Sequence, residues 1–261
     1  MSAAGGRVAW IATSPVKGLR LALREEAVLE RTGIEGDRAF YLVDAEGRLT
    51  NAKRAGALLR ASAETDGGRL RVRLPDGSVV DGEVELGDSL ETNFYGRPVQ
   101  GRGVRGPWAE ALSAVAGVPL TLVRAEEPGS GLDRGAEAAA SLVSTAALEA
   151  LARAAGVDDP VDGRRFRMNL GVDGTTAHEE DGWLGRPVAV GEAVLVPRGN
   201  VGRCRVTKLG PETGVPDLDT LDVIADYRAG VETTEPLPFG VWCEVVEPGR
   251  VAVGDRAEPV G

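Results

Sequence analysis

Short apolar runs separated by turn residues dominate the first hundred positions. Residues 8–12, 27–29, 39–43, 70–74 and 79–86 have the length and β-branched content of strands. Asp44-Ala45-Glu46-Gly47, Asp66-Gly67-Gly68 and Pro75-Asp76-Gly77 supply turns between them. The spacing predicts hairpins curling into a small barrel. The pattern loosens at residues 101–106. A boundary is therefore expected near 95–106, with an N-terminal β-barrel-like region over residues 1–100 and a second domain over 101–261.

Helical periodicity then appears. Pro107-Trp108 opens a helix reaching about Ala116, with Gly117 placed to end it. A second helix starts at Ser144 or Thr145 as cap, carries Leu148, Leu151, Ala152 and Ala155 on one face, and stops at Gly156. Strands follow at 166–172, 188–196 and 203–207, then a helix near 218–227, then strands at 241–246 and 251–253. The sum is a mainly β chain with some α, an α+β fold without internal repeat or long linker.

Composition narrows the chemistry. The 261 residues are 43% hydrophobic, enough to bury one large core or two smaller ones. A net charge of −10 argues against nucleic-acid or anionic-membrane partners, so an anionic ligand would have to meet locally clustered arginines. No apolar run approaches the roughly 20 residues that span a bilayer, and a soluble, cytoplasmic protein is expected. Two cysteines, Cys204 and Cys243, are too few for a zinc site or a disulfide framework. One histidine, His178, argues against His-dependent triads and multi-His metal sites. Chemistry must then rest on cysteine, basic or acidic residues, or a cofactor.

Cys204 lies between Arg203 and Arg205, with Lys208 four residues on. Such cations favour the thiolate, the form that attacks and that binds soft metals. Strand alternation allows the opposite reading, with Cys204 a small hydrophobe in a barrel core and both arginines outward. Cys243 sits in an apolar strand beside Glu244, with Trp242 on the other face, and is expected in the core. Lys17, Arg38, Lys53, Arg54, Arg164, Arg165 and Arg167 fall near strand ends or turns. Singly they read as solvated charges; brought together they would suit a phosphate-bearing ligand. Glu179, Glu180 and Asp181 beside His178 read either as a hard-metal cluster or as a solvated loop before Trp183. The G-x-G-x-x-G spacing from Gly101 to Gly106 lacks an apolar strand before it, so no dinucleotide site is expected there.

Several stretches, taken in order, resemble the MOSC family (molybdenum cofactor sulfurase C-terminal domain) with its N-terminal β-barrel region. They are Ser14-Pro15-Val16-Lys17-Gly18, the run from Gly36 to Asp44, Leu49-Thr50-Asn51-Ala52-Lys53, Phe166-Arg167-Met168-Asn169-Leu170, Glu180-Asp181-Gly182-Trp183, and Gly202-Arg203-Cys204-Arg205-Val206-Thr207 with Pro211-Glu212-Thr213-Gly214 behind it. The resemblance implies a MOSC β-barrel domain beside a smaller N-terminal barrel. It also implies a molybdenum cofactor (Mo-molybdopterin) whose metal is held by Cys204, the catalytic ligand. Gly202 and Arg203 would contact the cofactor, Lys17, Arg38 and Arg167 would hold the pterin and its phosphate, and Trp242 would lie near it. Gly18 and Ala138 to Ala140 stand where the better-known members carry hydroxyl groups, and Gly210 where they carry an acid.

By similarity to the amidoxime-reducing component and its bacterial relatives, the implied activity is reduction of N-hydroxylated small molecules. Neither an iron–sulfur cysteine pattern nor a flavin motif is present, so electrons would come from a separate ferredoxin- or flavoprotein-type donor. Two other readings stay open. One is a carrier that transfers persulfide or cofactor through Cys204; the other is a cofactor-free MOSC scaffold with different small-molecule chemistry.

Overall fold

The computed structural model describes residues 5–66 and 68–260. Met1 to Ala4 and Gly67, the middle of the predicted Asp66-Gly67-Gly68 turn, lie outside the described residues. The architecture is α+β and mainly β, with three α-helices among the described residues.

Alternation is strict where a sheet is half buried. In Arg69–Arg73, Leu70 and Val72 enter the core while the three arginines face outward. This strand lies between Ser62–Thr65 and Val79–Glu83 in a three-stranded sheet. A five-stranded sheet, ordered Glu85–Phe94, Arg97–Arg105, Thr121–Ala125, Phe40–Val43 and Leu49–Thr50, encloses the same core. Helix α1 (Trp108–Ala116) packs Trp108 and Leu112 into it and ends at Gly117, as expected. The Trp108 indole donates to the Leu70 carbonyl at 3.1 Å, so its buried N–H is satisfied.

The glycine-rich stretch at 101–106 is strand rather than loosened chain, and the expected division at 100/101 falls inside Arg97–Arg105. Glycine is required at 101 by close packing. A Cβ there would lie 2.4 Å from the Tyr41 hydroxyl and 2.5 Å from Val123. In sequence such a glycine reads as a turn; in the sheet it makes room for a neighbour.

The C-terminal lobe is a closed barrel of seven strands. Their order is Leu170–Asp173, Ala140–Ser144, Pro238–Glu247, Ala193–Gly202, Val188–Val190, Arg256–Pro259 and Gly6–Thr13, which pairs again with Leu170–Asp173. Closure leaves the barrel without a free sheet edge. It also recruits the N-terminal strand, so the lobe is not one contiguous stretch of chain. Ile11, Leu142, Leu170, Leu195, Val241 and Cys243 fill its interior, and Cys243 is fully buried as expected. Helix α2 (Thr145–Ala155) buries Ala147, Leu148, Leu151 and Ala152 and ends at Gly156. Ser144 precedes it but does not cap it: its hydroxyl accepts the His178 N–H at 3.1 Å. Helix α3 (Thr220–Tyr227) packs against α2.

Two predicted strands are corrected. Residues 166–172 begin as a 3₁₀ helix, Gly163–Phe166, turn at Arg167 in the left-handed region, and become strand only from Leu170. Residues 203–207 are not strand. Gly202 pairs with Pro238, which has no N–H to extend the ladder, and the chain turns at Cys204 into the 3₁₀ helix Arg205–Lys208.

The acidic run is not a solvated loop. Glu179–Trp183 is a 3₁₀ helix packed on three barrel strands, and Glu180 is 0% exposed with no partner at either carboxyl oxygen. Among the described residues no group of three or more potential ligands could hold a metal ion. Burial raises the Glu180 carboxyl to about 7. Burial, with Arg228 nearby, lowers the His178 imidazole to about 4, while its Nε2 meets the Tyr227 hydroxyl at 2.9 Å.

Because the folded state prefers Glu180 protonated, its stabilising effect is complete below the unfolded-state value of 4.5 and is lost as pH rises to about 7. The accumulated cost at pH 8 is about 3 kcal/mol. Thermal unfolding of Glu180→Gln against wild type should therefore favour the variant at pH 8 and less so toward pH 4.5. A difference independent of pH would contradict a neutral, buried Glu180.

Candidate functional site

A cavity of about 370 Å³ opens between the lobes. All seven residues singled out in the sequence, Lys17, Arg38, Arg167, Gly202, Arg203, Cys204 and Trp242, line it. Lys53 and Arg165 join them. Arg54 and Arg164 do not: Arg54 pairs with Asp44 at 2.8 Å, and Arg164 with Asp162 at 2.7 Å and Glu212 at 2.6 Å.

Each cation is fixed by its backbone. Lys17 follows the strand Gly6–Thr13 and is 5% exposed. Its Nζ donates to the Gly131 carbonyl at 3.0 Å and pairs with Asp133 at 3.0 Å. Burial lowers the Lys17 ammonium's pKa while Asp133 opposes the shift; in turn Lys17 holds the Asp133 carboxyl below the ordinary range. Arg38 pairs with Asp37 and donates from Nη2 to the Arg167 carbonyl at 2.8 Å. Asp37 is itself held by the Ser14 N–H at 2.7 Å and the Asn169 amide at 2.9 Å.

Arg167, like Arg165 with its orphaned Nε, is incompletely satisfied. Its Nη2 is buried with no hydrogen-bond partner, and burial beside Arg38 lowers the guanidinium's pKa to about 10. The cluster therefore carries a donor that no protein group uses. Five non-glycine residues among those described have positive φ, and three line this cavity: Arg38 at 52°, Tyr95 at 54° and Arg167 at 56°. Such backbone costs about 1–3 kcal/mol per residue and persists where the surrounding structure enforces it.

Cys204 is exposed, and the reading that placed it in the barrel core is overturned. The neighbouring guanidinium takes the inward place instead. Arg203 donates to the Phe166 carbonyl at 2.9 Å, to the Phe239 carbonyl at 2.9 Å and to Met168 Sδ at 2.8 Å. Burial lowers its pKa to about 9. Phe166 and Phe239 stack at 4.1 Å beside it. Trp242 forms part of the wall, with Arg134 over its ring at 5.4 Å.

Tyr95, Asp133 and Ser141 also line the cavity and went unnoticed in the sequence. Tyr95 stands at a hairpin tip before Gly96, the one local signal that could have marked it. Asp133 lies in a segment without periodicity. Ser141 supplies a hydroxyl next to Ala138 to Ala140, engaged with Asn169 at 3.0 Å. Gly18, by contrast, has φ 99°, and a Cβ would lie 3.0 Å from Asn51. No hydroxyl-bearing side chain fits there without movement.

Two family models match the chain, the MOSC N-terminal beta barrel domain over residues 5–107 and the MOSC domain over residues 129–258. A molybdenum cofactor sulfurase from Oryza sativa subsp. japonica is 34% identical over 71 residues, 26% of this chain. The match spans only 8% of that relative's length. Among solved structures, the YUAD protein from Bacillus subtilis is 13% identical, with 98% of this chain and 96% of that one covered and a TM-score of 0.46. YiiM from Geobacillus stearothermophilus is 19% identical, with 48% of this chain and 56% of that one covered and a TM-score of 0.36.

Arg167→Asn removes an unpaired buried charge and places at a left-handed position a residue that tolerates it. In ligand-free protein the variant should gain on the order of 1 kcal/mol and melt higher than wild type in a thermal scan. A lower melting temperature would contradict the idea that Arg167 is held under strain for a ligand.

Proposed function

We propose, from the premise that this chain belongs to the MOSC domain family, that the cavity between its lobes binds the molybdenum cofactor with Cys204 as the metal's thiolate ligand. Its activity is reduction of N-hydroxylated or N-oxygenated small molecules with electrons from a separate ferredoxin- or flavoprotein-type donor. The observation that carries the binding reading is the convergence of Lys17, Arg38 and Arg167, the last with an orphaned Nη2, on a cavity that an exposed thiol also lines. Cations held this close repel one another, and an anionic ligand offsets the repulsion.

The residues present fit the group. A thiolate is a soft ligand suited to molybdenum, and with no multi-residue metal cluster among the described residues the cofactor itself would have to supply the other ligands. Lys17, Arg38 and Arg167 would hold the phosphate, which competes with the Asp133 carboxylate for Lys17. Gly202 lines the cavity beside the thiol, and Arg203 fixes the direction of Cys204. The 370 Å³ volume lies within the range of small-molecule sites. When bound, the cofactor would supply a redox centre able to take oxygen from an N–O group. Two cysteines, one of them buried, build no iron–sulfur relay, so the electrons must enter from another protein.

A second reading, transfer of sulfur or of the cofactor through Cys204, is favoured by one observation. The thiol is exposed at the cavity wall, within reach of a second protein.

Molybdenum and pterin content of wild type and Cys204→Ala, purified from a host that makes the cofactor, separates these readings. Near-stoichiometric metal in wild type and its loss in the variant are expected. Folded wild-type protein with sulfane sulfur on Cys204 and no molybdenum would replace the oxidoreductase reading by the carrier.

A further inference from the structure

The hydroxyl of Tyr95 has its hydrogen-bond roles decided by its neighbours. The Lys53 N–H donates to Asn51 Oδ1 at 2.9 Å, which fixes the orientation of the Asn51 amide. Asn51 Nδ2 then donates to Tyr95 Oη at 2.9 Å. With that lone pair occupied, the phenolic proton is left to donate elsewhere, and the tyrosine lines the same cavity as Cys204. Tyr95 is carried on the hairpin between Glu85–Phe94 and Arg97–Arg105, from the opposite lobe, and its left-handed φ of 54° holds the ring at the cavity mouth. The ring is 61% exposed, and the positive φ at both Tyr95 and Gly96 is that of a two-residue hairpin loop closing the Phe94–Arg97 pair. The charged groups around the phenol are Lys53, over the ring at 5.1 Å, together with Arg54, Asp133 and Cys204.

We infer that Tyr95 is a catalytic residue, the oriented proton donor of the cavity, serving the oxygen atom that departs from a substrate reacting at Cys204. The inference rests on the reductive reading above and adds to it a requirement on the substrate: the departing atom is an oxygen that can accept a hydrogen bond on the side facing the N-terminal lobe. The N–O bond breaks with two electrons that originate in the donor protein. The oxygen of an N-hydroxyl group, which already carries one proton, takes the Tyr95 proton and leaves as water while the nitrogen takes a proton from solvent. The bare oxygen of an N-oxide takes both protons, and the phenol is reprotonated through its exposed edge.

The test uses the cofactor-free full chain and a reaction with the same demand. When the Cys204 thiolate attacks hydrogen peroxide, an S–O bond forms, the O–O bond breaks, sulfur is oxidised by two electrons, and the departing hydroxide needs a proton. Alkylation by iodoacetamide uses the same thiolate and needs none. Cys243 is buried and stays silent in both. Tyr95→Phe should slow trapping of the Cys204 sulfenic acid on the order of tenfold and leave the iodoacetamide rate unchanged. Asn51→Leu, which frees the hydroxyl to turn, should act in the same direction more weakly. In molybdenum-loaded protein the Phe variant should lose kcat with KM held. Equal peroxide rates in wild type and Tyr95→Phe, or equal losses in both reactions, overturn the assignment. A peroxide effect in protein that never takes up molybdenum sinks the cofactor reading and leaves the donor role of Tyr95 standing.

Discussion

Everything at the cavity depends on how Arg203 is satisfied. Its guanidinium has no carboxylate partner within ion-pairing distance among the described residues; it donates instead to two backbone carbonyls and a thioether. The carbonyls belong to Phe166, in the 3₁₀ helix before Leu170–Asp173, and to Phe239, at the start of Pro238–Glu247, while Arg203 itself directly follows Ala193–Gly202. One side chain therefore ties three stretches of the barrel behind Cys204. Truncating it would leave buried carbonyls without donors, each costing about 1–3 kcal/mol. With Arg203 turned inward, the next residue has to face out, and this is why the thiol meets the cavity rather than the core.

Around that anchor the protein concentrates groups that cost stability. Lys17, Arg38 and Arg167 are brought together although like charges repel, and only Asp37 and Asp133 offset them. Two of the three carry a neighbouring carboxylate or carbonyl partner; Arg167 keeps an unused N–H. Left-handed backbone at Arg38 and Arg167 adds strain at the same place, while that of Tyr95 belongs to its hairpin loop. Binding sites are where such costs recur, because the ligand completes what the fold leaves unfinished. Elsewhere the molecule has two large β cores, a Trp108 indole bonded to Leu70 and surface ion pairs of small individual worth, with the Glu180 carboxyl and the Trp183 indole also buried without partners.

Much of this was legible in the sequence, and the parts that were not have physical causes. Alternation located Arg69–Arg73, and terminal glycines located α1 and α2, since both signals are local. The seven cavity residues were picked out by resemblance to a family, not by periodicity, and their convergence depends on lobes that meet only in three dimensions. Gly101 misled because a glycine that admits Tyr41 looks like one that makes a turn. Residues 203–207 misled because the strand's end is set by Pro238 on its partner, far away in sequence. Glu180 misled because an acidic run is normally solvated, and nothing local announces that one carboxyl enters the barrel. Tyr95 and Asp133 reach the cavity from a hairpin tip and an aperiodic loop, where sequence carries little directional information.

The central claim is that one thiolate and one cluster of cations, brought together from two lobes, hold a single metal-bearing ligand. Diffraction from crystals of the molybdenum-loaded protein, recorded at the molybdenum absorption edge, tests it directly. The account predicts one anomalous peak within bonding distance of Cys204 Sγ and density for a phosphate against the Lys17, Arg38 and Arg167 cluster. A peak elsewhere on the chain, or a metal at Cys204 with Arg167 still without a partner, would contradict it.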